Sequence, residues 1–170
     1  MATDFAPTIF GSYGDDVTVR EFVVDSAATF KKGELVYWDT SSKTLKECGT
    51  DPALVAGIAL GSAGFALGTE YPGPIYQGSR IPVALFEPDA LIFLCSATTP
   101  IVDHIGVKYA LAKLASGNWS VDTTDTADAR VIVVDIFRAV SASVSPGPQT
   151  GQDGFLVRFN SANLQFSGIF

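Results

Sequence analysis

The apolar residues of this chain fall in short runs, alternating or β-branched, and each run is bounded by Gly, Pro, Asp, Asn or Ser. From residue 17, VTVREFVV alternates as a half-buried strand does. After the polar turn Lys31-Lys32-Gly33, the segments GELVYWD and TLKEC flank Ser41-Ser42-Lys43 as the arms of a hairpin. Asp51-Pro52 breaks the pattern, and ALVAGIAL follows as a short apolar strand before a Gly/Pro-rich loop over residues 61–78. IPVALF and LIFLCS read as a second hairpin around Glu87-Pro88-Asp89, with Pro82 suited to an edge position or a strand start. Residues 106–137 predict strand, turn, strand, polar Thr/Asp loop and long apolar strand. Ser116, Gly117 and Asn118 supply the freedom of the turn, and Val131 to Val134 is patterned like a strand buried on both faces. FLVRF and NLQFS close the chain on either side of Asn160-Ser161-Ala162.

Residues 105–114 fit a helical face as well as a strand, and Gly106 together with Ser116-Gly117-Asn118 favours the strand. The expected fold is therefore mainly β: a small β-barrel or β-sandwich-like domain with long Gly/Pro loops and little helix. Its strands are expected near residues 17–24, 34–39, 53–60, 81–86, 91–96, 107–113, 130–137 and 155–159.

Residues 1–16 lack either period and carry Pro7, Gly11 and Gly14 around Phe5, Ile9, Phe10 and Tyr13. They read as an extended N-terminal arm ahead of one β domain over residues 17–170. Aromatics are poorly suited to a tail that serves only solubility, so these four side chains are candidate contacts with a partner or a neighbouring subunit, or else fold back on the chain's own core. The two halves also look alike. Gly33 opens a strand, turn, strand that leads to ALVAGIAL; Gly106 opens one that leads to ARVIVVDI; and Gly33 to Val83 is nearly the same separation as Gly106 to Val157. An internal duplication over about residues 30–96 and 103–167 is one reading, and the chance self-similarity of regularly spaced strands is the other.

With 170 residues the chain is long enough for one sizeable core without metals or disulfides. Hydrophobic residues reach 47% against 17% charged, too apolar for disorder and thinly charged for a surface fully in water, which points to buried interfaces. The net charge of −7, with Lys and Arg scattered, leaves no basic stripe for nucleic acid. MATDFAPTIF has neither a basic n-region nor an apolar core, so a secretory signal is not expected there, and the most apolar stretch, residues 53–68, falls short of the roughly 20 residues a membrane span needs. Cys48 and Cys95 are too few for a disulfide framework and too far apart for a metal knuckle; they read as buried apolar side chains, with a single bridge left open.

Chemistry has few carriers. His104 is the only histidine, so a triad or imidazole metal site must pass through it. Asp103 beside it could set a tautomer, yet no GxSxG elbow or cysteine motif supplies a nucleophile. Glu87 and Asp89 are the one compact carboxylate pair beside an apolar strand, and Pro88 between them marks a turn rather than a hydrolase site. Asp122, Asp125 and Asp128 recur every third residue, unlike the alternate-residue spacing of a calcium loop. Neither GxGxxG nor a P-loop lysine occurs. Neither an enzyme nor a cofactor site is expected.

Two blocks, FKKGELVYWDTSSKTLKECGTDPALVAGIAL (residues 30–60) and GVKYALAKLASGNWSVDTTDTADARVIVVDI (residues 106–136), resemble the capsid decoration, or cement, proteins of tailed-bacteriophage heads. The resemblance covers about residues 30–137 and rests on strand and turn residues. It implies a small β domain on the outer surface of an assembled virion, put in place in the host cytoplasm. Such a protein is commonly a homotrimer and binds where major capsid proteins meet, with no cofactor, no direct nucleic-acid contact and no membrane. Phe5, Ile9, Phe10 and Tyr13 would then be capsid or subunit contacts. The rival is a receptor- or glycan-binding β module of a tail or spike, for which Tyr37, Trp38, Tyr71, Tyr76 and Trp119 would be the stacking platform.

Overall fold

The structure, a computed structural model, describes residues 8–11, 17–63, 80–96, 98–114, 119–137 and 153–166. It is mainly β, with two antiparallel sheets in a sandwich-like arrangement. The strands are β1 (Thr8–Gly11), β2 (Val19–Val23), β3 (Leu35–Asp39), β4 (Thr44–Glu47), β5 (Gly57–Ala59), β6 (Arg80–Leu85), β7 (Leu91–Ser96), β8 (Lys108–Lys113), β9 (Trp119–Asp122), β10 (Val131–Phe137) and β11 (Gly154–Phe159). Two 3-10 turns, Val102–His104 and Ser161–Asn163, are the helical segments among the described residues.

One sheet runs β2-β6-β5-β3-β4; the other runs β7-β11-β10-β8-β9, with β1 added outside β7. Strand for strand, these orders are the same. The register repeats too: Gly57 opposite Leu85 recurs as Val131 opposite Phe159, and Ala59 opposite Val83 as Val133 opposite Val157. Even the entry turns match. Gly33 and Gly106 both take positive φ, 94° and 83°, and donate at 2.8 Å to Ala59 O and Val133 O respectively. The structural repeat thus begins at β2 and again at β7, so the boundaries near residues 30 and 103 move upstream. LIFLCS opens the second unit rather than closing the first.

The hairpin expected around Glu87-Pro88-Asp89 is not formed. β6 pairs with β2 and β5, whereas β7 pairs with β1, β11 and β9, so this turn carries the chain from one sheet to the other. Pro82 lies in a central strand, not at an edge. Its carbonyl accepts from Leu60 N at 2.9 Å, but proline has no N–H to return the bond, and the ladder stops at Ala59. That is why β5 ends at Ala59, one residue before the expected end; at its other end β5 starts at Gly57 and not at residue 53. In the second unit Leu156 occupies the corresponding place and β10 runs for seven residues. The expectation that residues 131–134 are buried on both faces is also corrected: Val131 and Val133 are buried, while Val134 faces solvent.

Neither sheet is a fully closed barrel. The seam between β7 and β9 is two parallel pairs, Cys95–Ser120 and Ser96–Val121, and that between β2 and β4 is the single bridge Val24–Leu45. Val24, Phe30, Val36, Leu45, Ile81 and Val83 pack inside the first sheet. Leu35, Val55, Ile58 and Phe86, from the same unit, join a second cluster with Ile92, Leu111, Trp119, Val131 and Phe155, so the two units share buried apolar contact. Polar clamps flank this contact. Asp51 donates its backbone N–H to Leu111 O at 3.2 Å and accepts Leu111 N–H on its carboxylate at 2.9 Å. Gln165 does the same in reverse with its side-chain amide, accepting from Trp38 N at 2.6 Å and donating to Trp38 O at 2.7 Å.

Candidate functional site

The residues that carried candidate chemistry are brought together by the fold mainly with backbone. His104 sits in the first 3-10 turn, edge-on to Tyr109 at 5.7 Å and tilted on Phe155 at 5.3 Å between ring centroids. Its Nδ1 accepts the Ile101 N–H at 3.4 Å. The imidazole is therefore a half-buried packing group over the second sheet, and Asp103 beside it is exposed. Glu87 accepts the Thr18 hydroxyl at 3.0 Å, and the Glu87 carbonyl accepts Ala90 N–H in the inter-sheet turn. The pair Glu87 and Asp89 belongs to that turn.

Asp122 and Asp125 build the polar loop after β9. Asp122 accepts from the Thr124 N–H and hydroxyl, and those bonds hold its carboxyl below the ordinary value; Asp125 accepts from Ala127 N and Asp128 N. Asp128 lies 3.6 Å from Arg130. These are turn-forming contacts, in which short carboxylates satisfy nearby backbone donors. Among the described residues no group of three or more His, Cys, Asp or Glu side chains could hold a metal ion. Cys48 is buried and donates to Leu54 O at 3.8 Å, and burial pushes its thiol far above the ordinary value, opposite to what a nucleophile needs. The side chain of Cys95 lies outside the described residues.

An open depression of about 260 Å³ is lined by Asp25, Ala27, Ala28, Tyr37, Lys46 and Glu47. It is smaller than the roughly 300–1,000 Å³ of most small-molecule sites. Its one cation is engaged within the protein: Lys46 Nζ stands 2.7 Å from Asp39 and 3.5 Å from Asp25. The described members of the stacking set, Tyr37, Trp38 and Trp119, do not form an exposed platform. Trp119 has no exposed surface, and Trp38 is partly covered by Phe22, 5.3 Å between centroids. Tyr37 packs on the core, and Tyr71 and Tyr76 lie outside the described residues.

Among the described residues, solvent-facing apolar side chains are concentrated in two places that the sequence pattern did not single out. The connection from β7 to β8 presents Ile101, Val102 and Ile105, with Val102 68% exposed. The second place is β2 and its approach, where Val17, Val19 and Val23 are exposed. A lone exposed valine is ordinary; three exposed apolar side chains within five residues of one connection form a patch. A cue was present in the sequence, since PIVDHI interrupts an otherwise polar connection.

Of the arm residues, Ile9 and Phe10 lie in β1, which pairs with β7 of the same chain, Thr8 opposite Phe93 and Ile9 opposite Ile92. Residues 8–11 are thus strand, which the absence of a period in the arm did not foretell. Phe5 and Tyr13 lie outside the described residues, and so do the side chains of Ile9 and Phe10. Among the described residues no helix is long and apolar enough to cross a membrane. Comparison of the chain with protein-family models, with curated proteins and with solved structures finds no match.

Proposed function

We propose that the protein is a structural decoration protein. It seats on the outer surface of an assembled phage head and stabilises contacts between major capsid proteins, with no catalytic step of its own. The observation that carries this reading is the exposed apolar patch Ile101, Val102 and Ile105 on a connection held down at its base. His104 packs on Tyr109 and Phe155, and Gly106 N–H is bound to Val133 O. A rigidly mounted apolar patch suits docking on another protein, because little side-chain and loop freedom is lost on binding. Further support is that the two blocks resembling cement proteins correspond to β3–β5 and β8–β10, the same three strands of the two units. Several such proteins engaging one shell would turn a weak contact per subunit into firm attachment.

Co-sedimentation with undecorated phage heads tests the proposal. Wild-type protein is expected to pellet with the heads in saturable fashion. The triple substitution Ile101→Asp, Val102→Asp, Ile105→Asp is expected to weaken binding at least tenfold while leaving the far-UV circular dichroism unchanged. Wild-type protein that stays in the supernatant at every head concentration would overturn it.

A further inference from the structure

The internal repeat makes the first unit a control for the second. The β2–β3 and β7–β8 connections end alike: Glu34 N–H donates to Lys31 O, and Val107 N–H to His104 O, each at 3.1 Å. With Gly33 equivalent to Gly106, Lys31 stands where His104 stands and Lys32 where Ile105 stands. The side chains then go opposite ways. In the first unit the connection buries Ala28 and Phe30 in that unit's own core, and Lys32 at its end is exposed. In the second it leaves Ile101, Val102 and Ile105 in solvent, and its 3-10 turn buries no residue. The turn forms equally well with a lysine in the place of Ile105, so an exposed isoleucine there is not a requirement of the fold.

The 3-10 geometry arranges the patch. Three residues make one turn, so Val102 and Ile105, joined by Ile105 N–H to Val102 O at 3.0 Å, share a side. His104 takes the side that packs on Tyr109 and Phe155. Asp103 is left on the remaining side, exposed at the margin of the patch. It is the one carboxylate of residues 98–107, and it takes part in none of the ion pairs among the described residues. A surface that covers Val102 and Ile105 also takes water from Asp103. A carboxylate so placed is favoured by a cation on the partner and penalised by an apolar or acidic group.

We propose that the protein seats on its partner by one end only, a proposal that rests on the capsid reading. The β7–β8 connection of the second unit faces the shell, where the coat protein offers an apolar surface with a lysine or arginine beside it to meet Asp103. The β2–β3 connection of the first unit, with Lys32, stays in solvent. A second copy of the chain suits this patch less well, because a molecule of net charge −7 brings Asp103 up to another acidic surface.

Thiol protection tests the seating. Val102→Cys and Lys32→Cys are each reacted with a maleimide, free and on undecorated phage heads, with wild type alongside to account for Cys48 and Cys95. On saturated heads Val102→Cys is expected to react at least tenfold more slowly than in free solution, and Lys32→Cys at an unchanged rate. Affinity gives a second readout. Asp103→Asn is expected to bind heads severalfold more weakly than wild type and with a shallower salt dependence, Asp103→Lys at least tenfold more weakly, and Lys32→Glu within about twofold of wild type. Heads that take up no wild-type protein overturn the capsid reading, and this seating with it. Heads that take it up while Lys32→Cys is protected, while Val102→Cys reacts as in free solution, or while Asp103→Lys binds as wild type does, overturn the seating alone. Protection of Val102→Cys in the free protein that grows with its concentration would place a second copy on the patch and overturn it as well.

Discussion

Lys113 Nζ, at the end of β8 in the second sheet, lies 2.8 Å from Glu34 Oε2, at the entry to β3 in the first. The Glu34 side chain is 7% exposed and that of Lys113 24%, and Lys113 also donates to Cys48 O at 3.4 Å and stands 5.9 Å from the centroid of the buried Trp119 ring. One ion pair therefore joins the two units beside their shared apolar cluster.

Removing one partner leaves the other charge in a place that water reaches poorly. Lys113→Met is expected to destabilise the protein by about 2–3 kcal/mol, below the range for a fully buried pair because the ammonium keeps some solvent. The double variant Glu34→Gln, Lys113→Met should recover much of that loss. Urea denaturation of the four proteins in the cycle checks both, and a loss in the double variant equal to the sum of the two single losses would show that the pair contributes little coupling.

Gly106 has positive φ with no atom within 4 Å of an added Cβ, so Gly106→Ala meets backbone strain alone. The cost should be about 1–2 kcal/mol. Gly33→Ala is expected to cost about the same, since Gly33 makes the same turn and the same bond to its own unit, and the two effects should add. Chemical denaturation of the two single variants and the double variant measures this.

Gly57 offers a different case. An added Cβ would run into the carbonyl of Ala84 on β6, a backbone atom held in the sheet, whereas at Gly49 nothing lies within 4 Å. Gly57→Ala should lower stability by about 2–4 kcal/mol and Gly49→Ala by under about 1 kcal/mol. Thermal unfolding of the two variants side by side would reveal the contrast.

Asp39 is held well below the ordinary carboxylate value, first by Lys46, whose ammonium donates to it at 2.7 Å, and then by Ser41 N–H and the Ser42 hydroxyl. Because the folded value lies below 3.8, the contribution of Asp39 is fully present above about pH 5 and is lost as pH falls through 3.8 towards the folded value. Asp25, lowered chiefly by the Ala27 N–H, acts in the same direction. The stability gap between wild type and Asp39→Asn should be present at neutral pH and close in strong acid. Urea midpoints recorded across that range test it; a gap that widened on acidification would contradict the assignment.

The local alphabet of the fold was legible in the sequence. Period-2 patterning and turn residues located β2, β3, β6, β7, β8, β10 and β11 to within a few residues, because alternation reports which face is buried and Gly33 and Gly106 report backbone that other residues enter only with strain. The similarity of the halves was legible as spacing. Strand partnership was not. Glu87-Pro88-Asp89 has the residues of a hairpin turn and instead joins two sheets, since turn residues set the local bend while the choice of neighbour depends on which buried faces meet. The C-terminal end of β5 was decided by Pro82, a residue distant in sequence whose missing N–H matters only once it stands opposite Leu60. The strand character of residues 8–11 likewise comes from the open edge of β7 and not from their own pattern. Burial of Trp119 and the pairing of Glu34 with Lys113 belong to the same class: composition supplied the groups, and only the packing of one unit on the other determined which of them water could still reach.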